Sequence, residues 1–241
     1  MDKVLNYQAS LFGNFTDIKP STENVKKLLN DFSNFFPSSV TMASIDVFSN
    51  KLKYDNRLQL VSNDHKFLIT FLVERIDINY SPIAKSNSSL EKIKDTIIDI
   101  ISSLSNVYAD TMGYRLSTSC KLLSPPISES ELSEYITKYS NPLQFYNSIE
   151  SINEWGQRYN SQYNETVHSK EELTNHIISI DKIMNKNQFS LTIDINTVPV
   201  NQIMKFNFSD LKEFSILSSK KIVEYINIFE NNGNNNYFLI L

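Results

Sequence analysis

The chain is expected to fold as an α+β protein, with antiparallel β-sheet packed by long amphipathic helices. Three observations carry this. Several segments alternate apolar and polar residues, as half-buried strands do. Two longer stretches switch to a helical period. The sequence Ile-Asp-Ile-Asn, followed two residues later by proline and a β-branched residue, occurs at 76–83 and again at 193–200, and each copy leads towards one of those helices.

The opening VLNYQASLFGNF alternates as a strand. Val25, Leu28, Leu29 and Phe32 then fall at i, i+3, i+4 and i+7, one face of a helix, with Ser21 or Thr22 placed to cap it and Pro37 expected to stop it. Strands are expected at 39–48, 56–62 and 66–80, the last two joined by the polar turn Asn63-Asp64-His65. Within 66–80, residues 67–73 are almost continuously apolar. From Glu74 the chain alternates, with Ile76 and Ile78 on one side and Arg75, Asp77 and Asn79 on the other. After Pro82, Ser88 and Glu91 read as a capping box for a helix whose stripe is Leu90, Ile93, Ile97, Ile101 and Leu104. GYRLSTSCKLL supplies a further strand, pointing Cys120 inward with Leu116, Thr118 and Leu122.

Pro125-Pro126 and Pro142 bracket a short helix carrying Leu132, Tyr135, Ile136 and Tyr139, and a second short helix is expected over 142–153. Three strands follow, at 154–167, 175–184 and 189–200, then a long helix over 209–229. The organisation is therefore an N-terminal half, 1–124, a helical connector, 125–153, and a C-terminal half, 154–241, with one continuous domain as the other arrangement. Two accounts of the repeated tetrapeptide stand: duplication of a sheet-plus-helix unit, or coincidence in a chain rich in Ile and Asn. Two accounts also stand for the apolar end Tyr237–Leu241, a last edge strand or a docking peptide.

A formal charge of −4 offers no overall basic field for nucleic acid or anionic lipid. Four glycines are too few for phosphate-cradling loops. A single cysteine forms no internal disulfide, the amino terminus lacks the pattern of a secretory leader, and no apolar run is long enough to span a bilayer, so a cytoplasmic protein is expected. His65, His168 and His176 lack metal-ligand spacing, with the last two separated by SKEEL, read as a capped turn. No cofactor, metal or catalytic residue is assigned. Asp77 and Asp194 occupy corresponding places and would serve a metal-dependent hydrolase if they converged; otherwise each is a polar residue on a strand's solvent face.

The more favourable surface is aromatic. Trp155, Tyr159 and Tyr163 share one side of an alternating strand, and Arg158 lies between them. These residue types dominate protein interfaces, although Trp and Tyr also serve as core. Arg75, where the first half's sheet emerges from cover, joins them as a candidate contact. The expected function is a non-enzymatic protein-binding component, its partner another protein and, through unpaired strand edges, a second copy of itself.

The run NRLQLVSNDHKFLITFLVERIDINYS, preceded by FGNFTDIKPSTENVKKLLNDF and followed by a helix, resembles a sporadically distributed family of uncharacterised bacterial proteins carried by mobile elements and phage-defence neighbourhoods. The likeness spans about residues 7 to 122 and the terminal strand and helix. It implies a defence, antitoxin or immunity setting and transfers no catalytic residue. The order strand, helix, antiparallel strands, helix is also similar to that of SecB-like chaperones, which implies binding of unfolded clients through apolar grooves.

Overall fold

The fold was obtained as a computed structural model, which describes residues 3–46, 51–82, 88–132, 136, 155–199 and 202–231. The strands are Lys3–Gly13 (β1), Phe35–Asp46 (β2), Lys51–Ser62 (β3), Phe67–Phe71 (β4), Arg75–Tyr80 (β5), Gly113–Leu123 (β6), Gly156–Val167 (β7), Lys170–Lys182 (β8) and Phe189–Thr197 (β9). The helices are Thr22–Leu29 (α1), Leu90–Val107 (α2) and Phe208–Asn231 (α3). All nine strands form one antiparallel sheet in the order β2-β3-β4-β5-β1-β6-β9-β8-β7. The strands of 1–124 and those of 154–241 therefore share one sheet, joined where β6 pairs with β9.

Strand alternation sorts side chains onto two faces. Tyr7, Ala9, Leu11, Ile76, Ile78, Leu116, Cys120, Ile193 and Ile195 are buried on one. α2 and α3 pack on each other and cover that face at β1, β5 and β6. The Tyr7 hydroxyl reaches Ser219 of α3 at 2.7 Å, and Thr118 faces Ser215 at 3.4 Å. Ser10, Asp77, Ser117, Asp194 and Asn196 point to the other face. One row of cross-strand partners crosses the core side: Leu60, Ile69, Ile78 and Ala9 run in from β3, and Thr118, Ile195, His176 and Ser161 run out to β7.

α2 buries Ile93, Ile97, Ile101 and Leu104 from the expected stripe, and Ile100 and Val107 besides, while Leu90 is only partly covered. Its cap is one residue later than the Ser88–Glu91 pair: Ser89 accepts from the Lys92 N–H. α3 is capped reciprocally, the Asp210 N–H donating to Asn207 Oδ1 at 3.0 Å and the Asn207 N–H to Asp210 Oδ2 at 2.8 Å. The loop before it is pinned to β6 by Gly113, whose N–H donates to the Phe206 carbonyl and whose carbonyl accepts from Lys205 and Phe206.

Three expectations are corrected. The single strand over 66–80 is a hairpin, β4 and β5, turning at Leu72–Arg75. The Val73 and Glu74 carbonyls accept from Phe15 and Gly13 as the chain leaves β1, so a segment with no turn residue bends because of what it meets. Pro37 does not end α1, which stops at Leu29; it lies inside β2, the edge of the sheet, where a missing N–H is tolerated. SKEEL is not a capped turn. The turn is His168-Ser169, at φ 47° and 64°, and β8 begins at Lys170. Two positive φ values in a two-residue connection match the twist of a hairpin, and here neither residue is glycine. The Asn63–His65 turn is as expected, with His65 at φ 57°. The expected helix over 142–153 and the tail Tyr237–Leu241 lie outside the described residues.

Beyond Gln59, β3 has no β4 partner, and Arg57 fills the gap. Its fully buried guanidinium donates to the carbonyls of Phe71 at 2.9 Å, Thr16 at 3.4 Å and Phe15, and meets Asp55 at 3.3 Å.

Candidate functional site: a cleft beside His176

Alternation in NHIISIDKIM puts His176 on the same face as Ile178 and Ile180, and the β8 ladder holds it there, opposite Ile195 on one side and Ser161 on the other. It is 2% exposed. Its Nδ1 lies 2.7 Å from the Tyr225 hydroxyl of α3. Nε2 lies 3.2 Å from Thr174 Oγ1 and 3.6 Å from Glu165 Oε1. The Tyr163 ring is 4.6 Å from the imidazole, and Tyr225 meets it edge-on at 5.9 Å.

Burial disfavours the imidazolium, and Lys221 adds to the effect, so the pKa of His176 is lowered to about 4. Burial dominates the attraction of Glu165, which stands beyond hydrogen-bond length. A neutral ring has one donor and one acceptor. The Tyr225 hydroxyl is itself held protonated by burial, reinforced by Tyr163 and by Glu224 and Glu165. The consistent assignment is Tyr225 O–H donating to Nδ1, and Nε2–H directed at Thr174 and Glu165. With both nitrogens occupied, His176 has no lone pair for a metal ion. Among the described residues no group of three His, Cys, Asp or Glu side chains is placed to hold one.

Next to His176 opens a cleft of about 260 Å³, lined by Arg158, Tyr159, Asn160, Ser161, Tyr163, His176, Ile178 and Tyr225. The expected aromatic surface is distributed around it. Tyr163 is a wall. Tyr159 also lines it, its hydroxyl bonded to Gln157. Trp155 lies further along, half-buried, with its ring edge-on to Phe189 at 5.8 Å. Arg158 is exposed and completes the lining. Arg75 is elsewhere: β5 is five strands from β7, roughly 24 Å at about 4.8 Å per strand. It is paired at 2.8 Å with Asp77 on the opposite face and lies over the Phe12 ring.

Asp77 and Asp194 do not meet. β1 and β6 stand between their strands, a separation of roughly 14 Å. Each is tied locally: Asp77 accepts from Ser10 at 2.7 Å and Gln8 at 3.0 Å, and Asp194 from Ser117 at 3.0 Å. His168, too, is structural in its contacts, with Nδ1 2.7 Å from Asp210 and 3.5 Å from Glu213, which fastens the β7–β8 turn to the start of α3. His65 packs edge-on against Phe36.

Of the residues singled out from the sequence as contacts, Tyr159, Tyr163 and Arg158 line this cleft, and His176, Ser161 and Tyr225 join them there without having been singled out. The available signal was a lone histidine on an otherwise aliphatic strand face. Tyr225 is joined to it only by the tertiary packing of α3. The chain matches no family model, no curated protein and no solved structure.

Proposed function

We propose that this chain is a non-enzymatic, chaperone-like protein-binding component, built from a sheet-plus-helix unit used twice and binding at the margin where the second unit departs from the first. Register supports the duplication. Asp77 faces Ser10 and Asp194 faces Ser119, so each Ile-Asp-Ile-Asn strand is seated alike on its neighbour. Ile78 is flanked by Ala9 and Ile69, and Ile195 by Thr118 and His176. Continuing outward, Leu60 stands beside Ile69, and Ser161 beside His176. The order β1, α1, β2 to β5, α2 in the first unit is also that of the SecB-like resemblance.

The observation that carries the binding role is the end of this row. Leu60 and Ile69 are fully buried and close the core of the first unit. Their counterparts Ser161 and His176, with Tyr163 and Tyr225, surround an open cleft. Aromatic side chains at the rim of a concavity are the equipment of recognition. Trp155, Arg158 and Tyr159 extend the surface along the same strand.

The test uses a labelled, reduced and carboxymethylated protein as an unfolded client, titrated against the full chain by fluorescence anisotropy. Saturable binding in the micromolar range is expected, about −8 kcal/mol, weakened at least tenfold by Tyr163→Ala. Failure of the wild-type chain to saturate, with this client or a set of unrelated unfolded ones, would refute the proposal.

A further inference from the structure

The cleft beside His176 occupies a place that the other half of the molecule fills. Leu60 and Ile69 pack there without exposure, whereas Ser161 and His176 leave about 260 Å³ open. Shortening leucine to serine removes most of a branched aliphatic group from a core row, and among the described residues none takes up the space.

Volume limits the occupant. Small-molecule and cofactor sites run from about 300 to 1,000 Å³, so a nucleotide is too large and a single side chain is the right size. Chemistry limits it further. Both nitrogens of His176 and the hydroxyl of Tyr225 are already engaged within the protein. A charged group entering would lose its water against rings whose polar atoms are already engaged. The rings of Tyr163, His176 and Tyr225 instead present edges and faces on which another ring packs favourably.

We infer that the cleft receives one aromatic side chain, phenylalanine or tryptophan, of the bound polypeptide, and so selects the segments this protein holds. The inference rests on the protein-binding role proposed above and names what that role recognises.

The experiment compares labelled ten-residue peptides of a fixed Ser/Thr/Asn/Gln background carrying one central Phe, Trp, Leu or Ala, titrated against the full chain by anisotropy. The Phe and Trp peptides should bind at least tenfold more tightly than the Ala peptide, with Leu between, as burial of a ring predicts. Ser161→Leu, which restores the side chain used by the other half, should abolish the aromatic preference while the melting temperature holds or rises. Tyr163→Ala should also reduce the preference, and it serves if Ser161→Leu does not fold. Equal affinity for the Phe and Ala peptides, in a chain that still binds the unfolded client, would overturn the cleft's role alone. An aromatic preference that survives both substitutions would overturn it as well. A wild-type chain that retains neither peptides nor client would overturn the binding role and this inference together.

Discussion

Ile69 and His176 stand at matching rungs on opposite sides of the sheet's centre, each beside the second isoleucine of an Ile-Asp-Ile-Asn strand. One site is closed by aliphatic packing and the other is held open by a hydrogen-bonded ring. The difference has a titration signature. His176 has a folded pKa near 4, below the ordinary 6.5, because burial penalises its charge. Between those values the unfolded chain binds a proton that the folded chain refuses. The stabilisation is therefore complete above pH 6.5 and is lost as pH falls towards 4. About 2 kcal/mol should disappear across this window, less than the full shift implies because the cleft admits water. Urea unfolding at pH 7, 5.5 and 4.5 measures it. The double substitution His176→Ile with Tyr225→Phe removes the titrating ring without stranding the phenol, and should flatten this part of the pH dependence. Parallel pH curves for the two proteins would show that His176 is not the group responsible.

The elements best read from sequence are those whose own residues decide them. α2 has an apolar stripe over four turns, β6 an alternation that buries Cys120, and β9 a run that stays buried beyond its alternating core. Where tertiary contacts decide, periodicity fails. Leu72, Val73 and Glu74 read as strand, yet the Val73 and Glu74 carbonyls meet the end of β1 and the chain folds back. Pro37 reads as a stop until β2 is known to be the sheet edge. The candidate site divides in the same way: Tyr159 and Tyr163 are visible as a local alternation, whereas the pairing of His176 with Tyr225 joins residues 49 apart and leaves no local trace.

Arg57 gives a second prediction. A fully buried guanidinium that satisfies three backbone carbonyls and meets one carboxylate cannot be removed without leaving those acceptors in a space sealed from water. Arg57→Met should cost about 2–4 kcal/mol in urea unfolding. Arg57→Lys should recover little, because an ammonium lacks the planar fork that reaches Phe15, Thr16 and Phe71 together. A loss under 0.5 kcal/mol for either variant would mean that the carbonyls find other donors.

Gly113 and Gly156 provide a matched contrast at the two ends of one half-sheet. At Gly113 an added Cβ would lie 2.4 Å from the Phe12 carbonyl oxygen and 2.6 Å from Leu11 Cδ1, in the β1–β6 junction at the middle of the sheet. A backbone atom in a paired central strand cannot move aside, and the same glycine anchors the loop leading into α3. Gly113→Ala should destabilise by about 3 kcal/mol, the upper range for overpacking. At Gly156 the nearest atom is Oδ1 of Asp181 at 2.5 Å, the end of an exposed side chain on an outer strand. That carboxylate can rotate away, and alanine narrows the unfolded ensemble, so Gly156→Ala should change stability by less than about 0.5 kcal/mol, with a gain as readily as a loss. Thermal melts of the two variants beside the wild type decide the matter: equal losses at both positions would mean that the β1–β6 junction is no more closely packed than the sheet's outer strand.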